Sequence, residues 1–174
     1  MQLTRDNLLI TLPSVGLQYY VSFELLVTKH TPGDWRNVIH LTTGGNKGVY
    51  GYRVPGIWLS SDHKLHITSA VNEVDNFIYN YGKPVEENEW TRLEIQQIFI
   101  GSKGDFLHDF ENHFKLSFQY YYQITINGSL VKVWINNNPQ PFTNVMVYAA
   151  DPWYQPVNGK IRHLVLSDKK GENL

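Results

Sequence analysis

Phe118-Gln119-Tyr120-Tyr121-Tyr122-Gln123-Ile124-Thr125-Ile126-Asn127-Gly128-Ser129-Leu130-Val131-Lys132-Val133-Trp134-Ile135-Asn136 is the stretch on which the fold turns. Phe118, Tyr120, Tyr122, Ile124 and Ile126 recur every second residue and so share one side of an extended chain. Asn127-Gly128 then supplies the two positive-φ residues of a type I′ turn, and Leu130–Asn136 resumes as a second strand. The stretch predicts a β-hairpin entered by a long strand over Lys115–Ile126.

The same period of two runs outward along the chain. In Gln18–Lys29, Val21, Phe23, Leu25 and Val27 alternate with Tyr20, Ser22 and Glu24, as half-buried strands do. Asn37–Thr43, Lys64–Val71, Glu89–Ile100, Val145–Tyr148 and Lys160–Leu166 read likewise, with shorter strands at Leu8–Leu12, Gly56–Ser60 and Phe77–Tyr81. About ten strands separated by Gly, Pro and Asn clusters, without a helical segment of about a dozen residues, predict an all-β antiparallel two-sheet β-sandwich, a jelly roll. Thr31–Pro55, Val71–Glu87 and Gly101–Asn112 are too long or irregular for plain turns and are expected to be loops.

The 174 residues suffice for one core but not for two ordinary domains, so residues 1–166 are read as one sandwich and 167–174 as a charged tail. Fifteen basic residues against sixteen acidic ones leave no excess for a phosphate-binding face, so no nucleic-acid partner is expected. No apolar run approaches the ~18 residues of a membrane helix, so no membrane partner is expected either. With no Cys there is no thiol nucleophile, disulfide or zinc ribbon.

Catalytic constellations are scarce. There is no G-x-S-x-G, and the nearest carboxylate pair, Asp109-Phe110-Glu111, lacks a third acid in strand spacing, so a non-enzyme is expected. His63 and His66 are separated by an odd interval that only a turn would overcome. His108, Asp109, Glu111 and His113 form a denser set that also reads as a polar loop. His40 and His163, inside apolar strands, are expected to be hydrogen-bonded packing residues. No cofactor is required; Glu24, Asp34, Asp75, Asp151 and Asp168 are the acids a loop could recruit for a structural calcium, and the metal set is left unknown. Asn127-Gly128-Ser129 matches a glycosylation sequon that matters only in a secreted protein.

Two loops carry groups suited to a sugar. Thr42–Trp58 combines flexible backbone with Asn46, Tyr52, Arg53 and Trp58, and Asp151–Gly159 holds Trp153 and Tyr154 between two prolines. Rings stack on the apolar faces of a pyranose, while amides and guanidinium take hydroxyl pairs. Asn46, Tyr52, Arg53, Trp58, Asp151, Trp153 and Tyr154 are therefore the candidate ligand-binding residues.

The successions Thr42-Thr43-Gly44-Gly45-Asn46, Tyr50-Gly51-x-Arg53-x-Pro55-Gly56-Ile57-Trp58, Leu65-His66-Ile67-x-Ser69-Ala70-Val71-Asn72 and Asp151-Pro152-Trp153-Tyr154-x-Pro156 resemble concanavalin A-like or laminin G-like modules of invertebrate, particularly cnidarian, extracellular proteins. Trp90-Thr91-x-Leu93-Glu94 and Gly159-x-Ile161-Arg162-x-Leu164 continue the resemblance over nearly the whole chain. It implies a jelly roll, secretion and binding in place of catalysis. Tyr52 stands where the pattern suggests an acid, and the cysteines frequent in such modules are missing. The expected function is a secreted, non-catalytic, lectin-like module for carbohydrate. Its alternatives are a carrier of an apolar small molecule such as a pigment, drawing on Tyr19, Tyr20, Tyr79, Tyr81 and Tyr120–Tyr122, or a matrix or adhesion subunit that forms a homo-oligomer.

Overall fold

A computed structural model describes residues 1–101 and 118–167. The strands are β1 (Leu8–Val15), β2 (Tyr19–Val27), β3 (Arg36–Thr42), β4 (Gly56–Leu59), β5 (Lys64–Val71), β6 (Val74–Pro84), β7 (Trp90–Gly101), β8 (Phe118–Ile126), β9 (Ser129–Asn136), β10 (Phe142–Tyr148), β11 (Gln155–Pro156) and β12 (Gly159–Ser167). They form two sheets. One runs β1-β10-β3-β4-β5-β6, with β11 alongside β3, and the other runs β12-β2-β7-β8-β9. All of these pairings are antiparallel except the two-residue β11–β3 contact. The expected two-sheet sandwich is the observed architecture.

Alternation decides which residues fill the space between the sheets. Val21, Phe23, Leu25 and Val27 of β2 and Leu93 and Ile95 of β7 meet Ile57, Leu59, Leu65 and Ile67 of β4 and β5 in one continuous core. Intervening residues such as Trp58 and His66 therefore turn away from it. The Asn127-Gly128 turn forms as expected, with φ of 49° and 79°. Asn127 Oδ1 also accepts the Arg92 backbone N–H at 2.8 Å, which ties the turn to β7.

Val71–Glu87, expected to be irregular around a short strand at Phe77–Tyr81, is mostly strand, because β6 extends that strand in both directions. Asn72 and Glu73 make a second tight turn, at φ 53° and 64°. Glu is an unusual residue for positive φ, and the turn is held from outside. Asn72 Nδ2 donates to the Ile135 carbonyl at 2.7 Å, Asn137 N–H donates to Asn72 Oδ1 at 2.6 Å, and Asn138 Nδ2 donates to Glu73 Oε1 at 2.5 Å. These partners lie some sixty residues away, and no local signal announces them.

Ser167, assigned to the tail, is the last residue of β12 and is buried. Gly101 closes β7, and the rest of the expected Gly101–Asn112 loop lies outside the described residues, as do His108, Asp109, Glu111, His113 and Asp168. His163 differs from expectation: it sits at a β-bulge in β12 with φ 52°, its ring is 66% exposed, and it faces Glu24 at 3.3 Å. The bulge adds a residue out of step with the alternation and turns the ring out of the strand's apolar series.

Candidate functional site

The sheet containing β3, β4, β5 and β6 presents its outer face to two loops, and a cleft of about 290 Å³ lies between them. It is lined by Trp35, Lys47, Arg53, Trp58, His66, Asn76, Ile78 and Tyr154. Trp58 of β4 is the centre. Its ring lies over Gly56, where an added Cβ would come within 2.3 Å of Trp58 Cη2, so only glycine admits the indole flat against the strand. The Arg53 guanidinium stacks on it at 4.5 Å, and the Tyr154 and His66 rings meet it edge-on at 5.7 and 6.2 Å. Trp35 stands edge-on to His66 at 4.6 Å.

Arg53 is 6% exposed. Its Nε donates to the Asn46 carbonyl at 2.8 Å, Nη2 to Asn46 Oδ1 at 3.1 Å and Nη1 to Asn76 Oδ1 at 2.6 Å. Burial pulls its pKa below the ordinary guanidinium value, against the opposing influence of Tyr154, Asp151 and Asp75. His66 Nδ1 donates to Asn80 Oδ1 at 2.6 Å. Burial lowers the His66 pKa from 6.5, and the Arg53 charge adds to that, while the Asn80 bond opposes both. The ring is thus a neutral wall of the cleft near neutral pH.

Beneath the cleft, His40 and Asp151 are both fully buried. His40 Nδ1 lies 2.8 Å from Asp151 Oδ2, and Nε2 lies 2.6 Å from the Tyr52 carbonyl oxygen. One imidazole therefore clamps the loop carrying Arg53 to the loop carrying Tyr154. Asp151 Oδ1 accepts the backbone N–H groups of Trp153 and Tyr154 at 3.1 and 2.8 Å, the turn-forming role for which a short acidic side chain is suited. His40 is the hydrogen-bonded packing residue expected of it.

The candidate residues therefore separate by role. Arg53, Trp58 and Tyr154 come together on the cleft. Asp151 is 0% exposed and positions the Tyr154 loop from below. Trp153 is 40% exposed, with its ring against His40 and Tyr148 at 5.5 and 6.3 Å, and it stands apart from the cleft lining. Asn46 holds Arg53, and Tyr52 packs its ring where a Gly45 Cβ would lie, at 2.3 Å. Trp35, Lys47, His66, Asn76 and Ile78 were not singled out as ligand-binding residues in the sequence. Strand alternation holds a signal for three of them. His66 sits on the wet face of β5, and Ile78 and Asn80 of β6 pair with Thr68 and His66 across the ladder, with Asn76 two residues before Ile78.

The acids considered for calcium do not converge. Glu24 pairs with Arg162, Asp75 accepts the Gly48 N–H and Asp151 is bonded as above. Among the described residues no three His, Asp or Glu side chains stand together as a metal set. His63 stacks on His30 at 3.9 Å, while His66 pairs with Asn80. The tyrosines do not form one surface: Tyr19, Tyr20 and Tyr122 are buried.

No known family model matches the sequence, and no curated protein matches it. Solved structures do match in shape. A heptameric SAP-like pentraxin from Limulus polyphemus superposes with a TM-score of 0.56 at 14% identity, over 99% of this chain and 76% of that one. The botulinum neurotoxin serotype D binding domain gives 0.54 at 13% identity, over 97% of this chain and 34% of its own. Domain 4 of an extracellular arabinanase from Geobacillus stearothermophilus, solved in complex with arabinotriose, gives 0.51 at 18% identity, over 90% of this chain and 64% of its own. The chain thus spans less than two thirds of the last two. At such identities the likeness is one of fold, and the fold is the jelly-roll sandwich expected from the strand pattern.

Proposed function

We propose that this chain is a secreted, non-catalytic saccharide-binding module whose site is the outer-face cleft. The observation that carries the reading is the meeting of Trp35, Trp58 and Tyr154 with Arg53, His66 and Asn76 around one open cleft. Flat apolar rings beside fixed, planar hydrogen-bonding groups suit the alternating apolar faces and hydroxyl edges of a sugar. The arabinanase domain that shares the fold was solved with a trisaccharide bound, which supports a sugar as the ligand class. The absence of a carboxylate pair from the lining supports binding without glycosidic hydrolysis. The mixed polar and aromatic lining favours a sugar over an apolar pigment, and the dispersal of the tyrosines removes the surface the carrier reading relied on.

A glycan panel followed by isothermal titration calorimetry tests this. Wild-type protein binds at least one saccharide, and Tyr154→Ala weakens that binding at least tenfold with an unchanged far-ultraviolet circular dichroism spectrum. Unaltered affinity in the variant would remove the cleft from the account. Cleavage of the bound saccharide during prolonged incubation, followed by product chromatography and ultraviolet absorbance, would overturn the non-catalytic part.

A further inference from the structure

Among the described residues the cleft holds two cationic side chains and no carboxylate to answer them. Lys47 and Arg53 line it together with Trp35, Trp58, His66, Asn76, Ile78 and Tyr154, a set without a carboxylate. Arg53 is almost wholly buried, yet its hydrogen-bonding partners are neutral groups: Asn46 and Asn76, with the Tyr154 side chain as a further one. Among the described residues neither Arg53 nor Lys47 has a carboxylate oxygen within 4.0 Å, whereas Lys64, Arg92 and Arg162 each do. Asp75 and Asp151 act on Arg53 only from farther away. A buried cation without a counter-ion is costly, so a group that brings negative charge to it is favoured.

The hydrogen-bonding inventory leans the same way. A guanidinium carries five N–H donors, of which Asn46 and Asn76 occupy three and Tyr154 engages a further one. Trp58 Nε1 is buried and has no acceptor among the described residues. Asn76 Oδ1 is taken by Arg53, which leaves the amide of Asn76 as a donor. Donors therefore dominate the cleft, and the ligand must bring acceptors and negative charge.

We infer that the cleft takes an anionic saccharide, whose carboxylate or sulfate lies against Arg53 and Lys47 while a sugar face stacks on the aromatic wall. This deepens the saccharide-binding reading and rests on it. Both anions share the chemistry of planar or tripodal oxygens meeting a guanidinium and an ammonium.

The test uses saccharide pairs that differ only in charge: tetragalacturonate with its methyl ester, and a heparin-derived hexasaccharide with its desulfated form. Calorimetry on the full chain gives one member of at least one pair a tenfold or greater advantage, always the charged one. That advantage shrinks as salt is raised. It also shrinks severalfold in Lys47→Gln, an exposed substitution, while Glu24→Gln on the opposite sheet leaves it unchanged. The pair that discriminates identifies the carboxylate or the sulfate. Equal binding of charged and neutral members, or binding of neutral glycans alone, overturns the anionic inference and leaves the saccharide reading standing. Anion selectivity indifferent to Lys47→Gln also overturns it, since the charge is then read elsewhere. Failure of every saccharide, charged and neutral, overturns both readings together.

Discussion

Two arginines of this molecule stack on tryptophan, and among the described residues only one of them has a carboxylate partner. On the outer face of the five-stranded sheet, Arg162 lies 3.9 Å from the Trp90 ring centroid and pairs with Glu24 at 2.7 Å, and Arg92 pairs with Glu94 at 2.8 Å. On the outer face of the other sheet, Arg53 lies 4.5 Å from the Trp58 centroid, with amide oxygens of Asn46 and Asn76 and the Tyr154 side chain as neutral partners. On the first face Arg162 is matched by a carboxylate across the strands and Arg92 by one along its own strand, in the manner of a solvated sheet surface. The second is deeper, more aromatic and electrically unfinished. The same pair of residue types is thus surface finish in one place and the makings of a site in the other, and what separates them is what surrounds the guanidinium.

The largest effect that breaks the comparison is at the support of the cleft. Asp151→Ala leaves His40 buried without its partner and strips the Trp153 and Tyr154 N–H groups of their acceptor. Breaking a buried pair costs about 3–5 kcal/mol, so denaturant unfolding should show a loss of that order and binding at the cleft should fail with it. Tyr154→Ala comes next and touches only the second face: its tenfold loss of affinity corresponds to about 1.4 kcal/mol, with little change in the unfolding midpoint.

Glu24→Gln sharpens the comparison from the other side. It removes the carboxylate that Arg162 and His163 hold below the ordinary Glu value, Arg162 being the larger influence. The side chains are on the surface, where solvent screens the pair, so the unfolding free energy at neutral pH should fall only slightly, and saccharide affinity should not change.

The smallest effect is in pH. Burial holds the folded His66 pKa below 6.5, so the neutral ring is favoured in the fold. As pH falls through 6.5 the unfolded chain takes up this proton first, and stability should decline from there downward, while above 6.5 the contribution is complete. Thermal midpoints of wild type and His66→Gln across that range should differ in slope, with the steeper acid decline in the wild type.

Most of the sandwich was legible because its strands bury one face. Lys64–Val71 coincides with β5 to the residue, and the Asn127-Gly128 turn needed only its own two residues to be read. Of β6 only the middle, Phe77–Tyr81, was legible, because its turn, Asn72-Glu73, is secured by Asn136, Asn137 and Asn138 across the sandwich edge, a tertiary support with no local trace. The site was half legible for a related reason. Arg53, Trp58 and Tyr154 stood out as a guanidinium and rings in Gly- and Pro-rich loops, but Asp151 resembled a surface acid until its burial placed it under the loop. Lys47, His66 and Asn76 look ordinary in the sequence and matter only because strand register and loop folding bring them beside Trp58.

A ¹H–¹⁵N nuclear magnetic resonance titration of the full chain with its tightest-binding saccharide tests the central claim most directly, because the two stacked arginines sit beside different tryptophans. The account predicts that the indole N–H signals of Trp58 and Trp35 and the backbone signals around Lys47 and Tyr154 move together, while the Trp90 indole stays in place. Shifts gathered around Trp90 and Arg162, with the Trp58 indole unmoved, would contradict it.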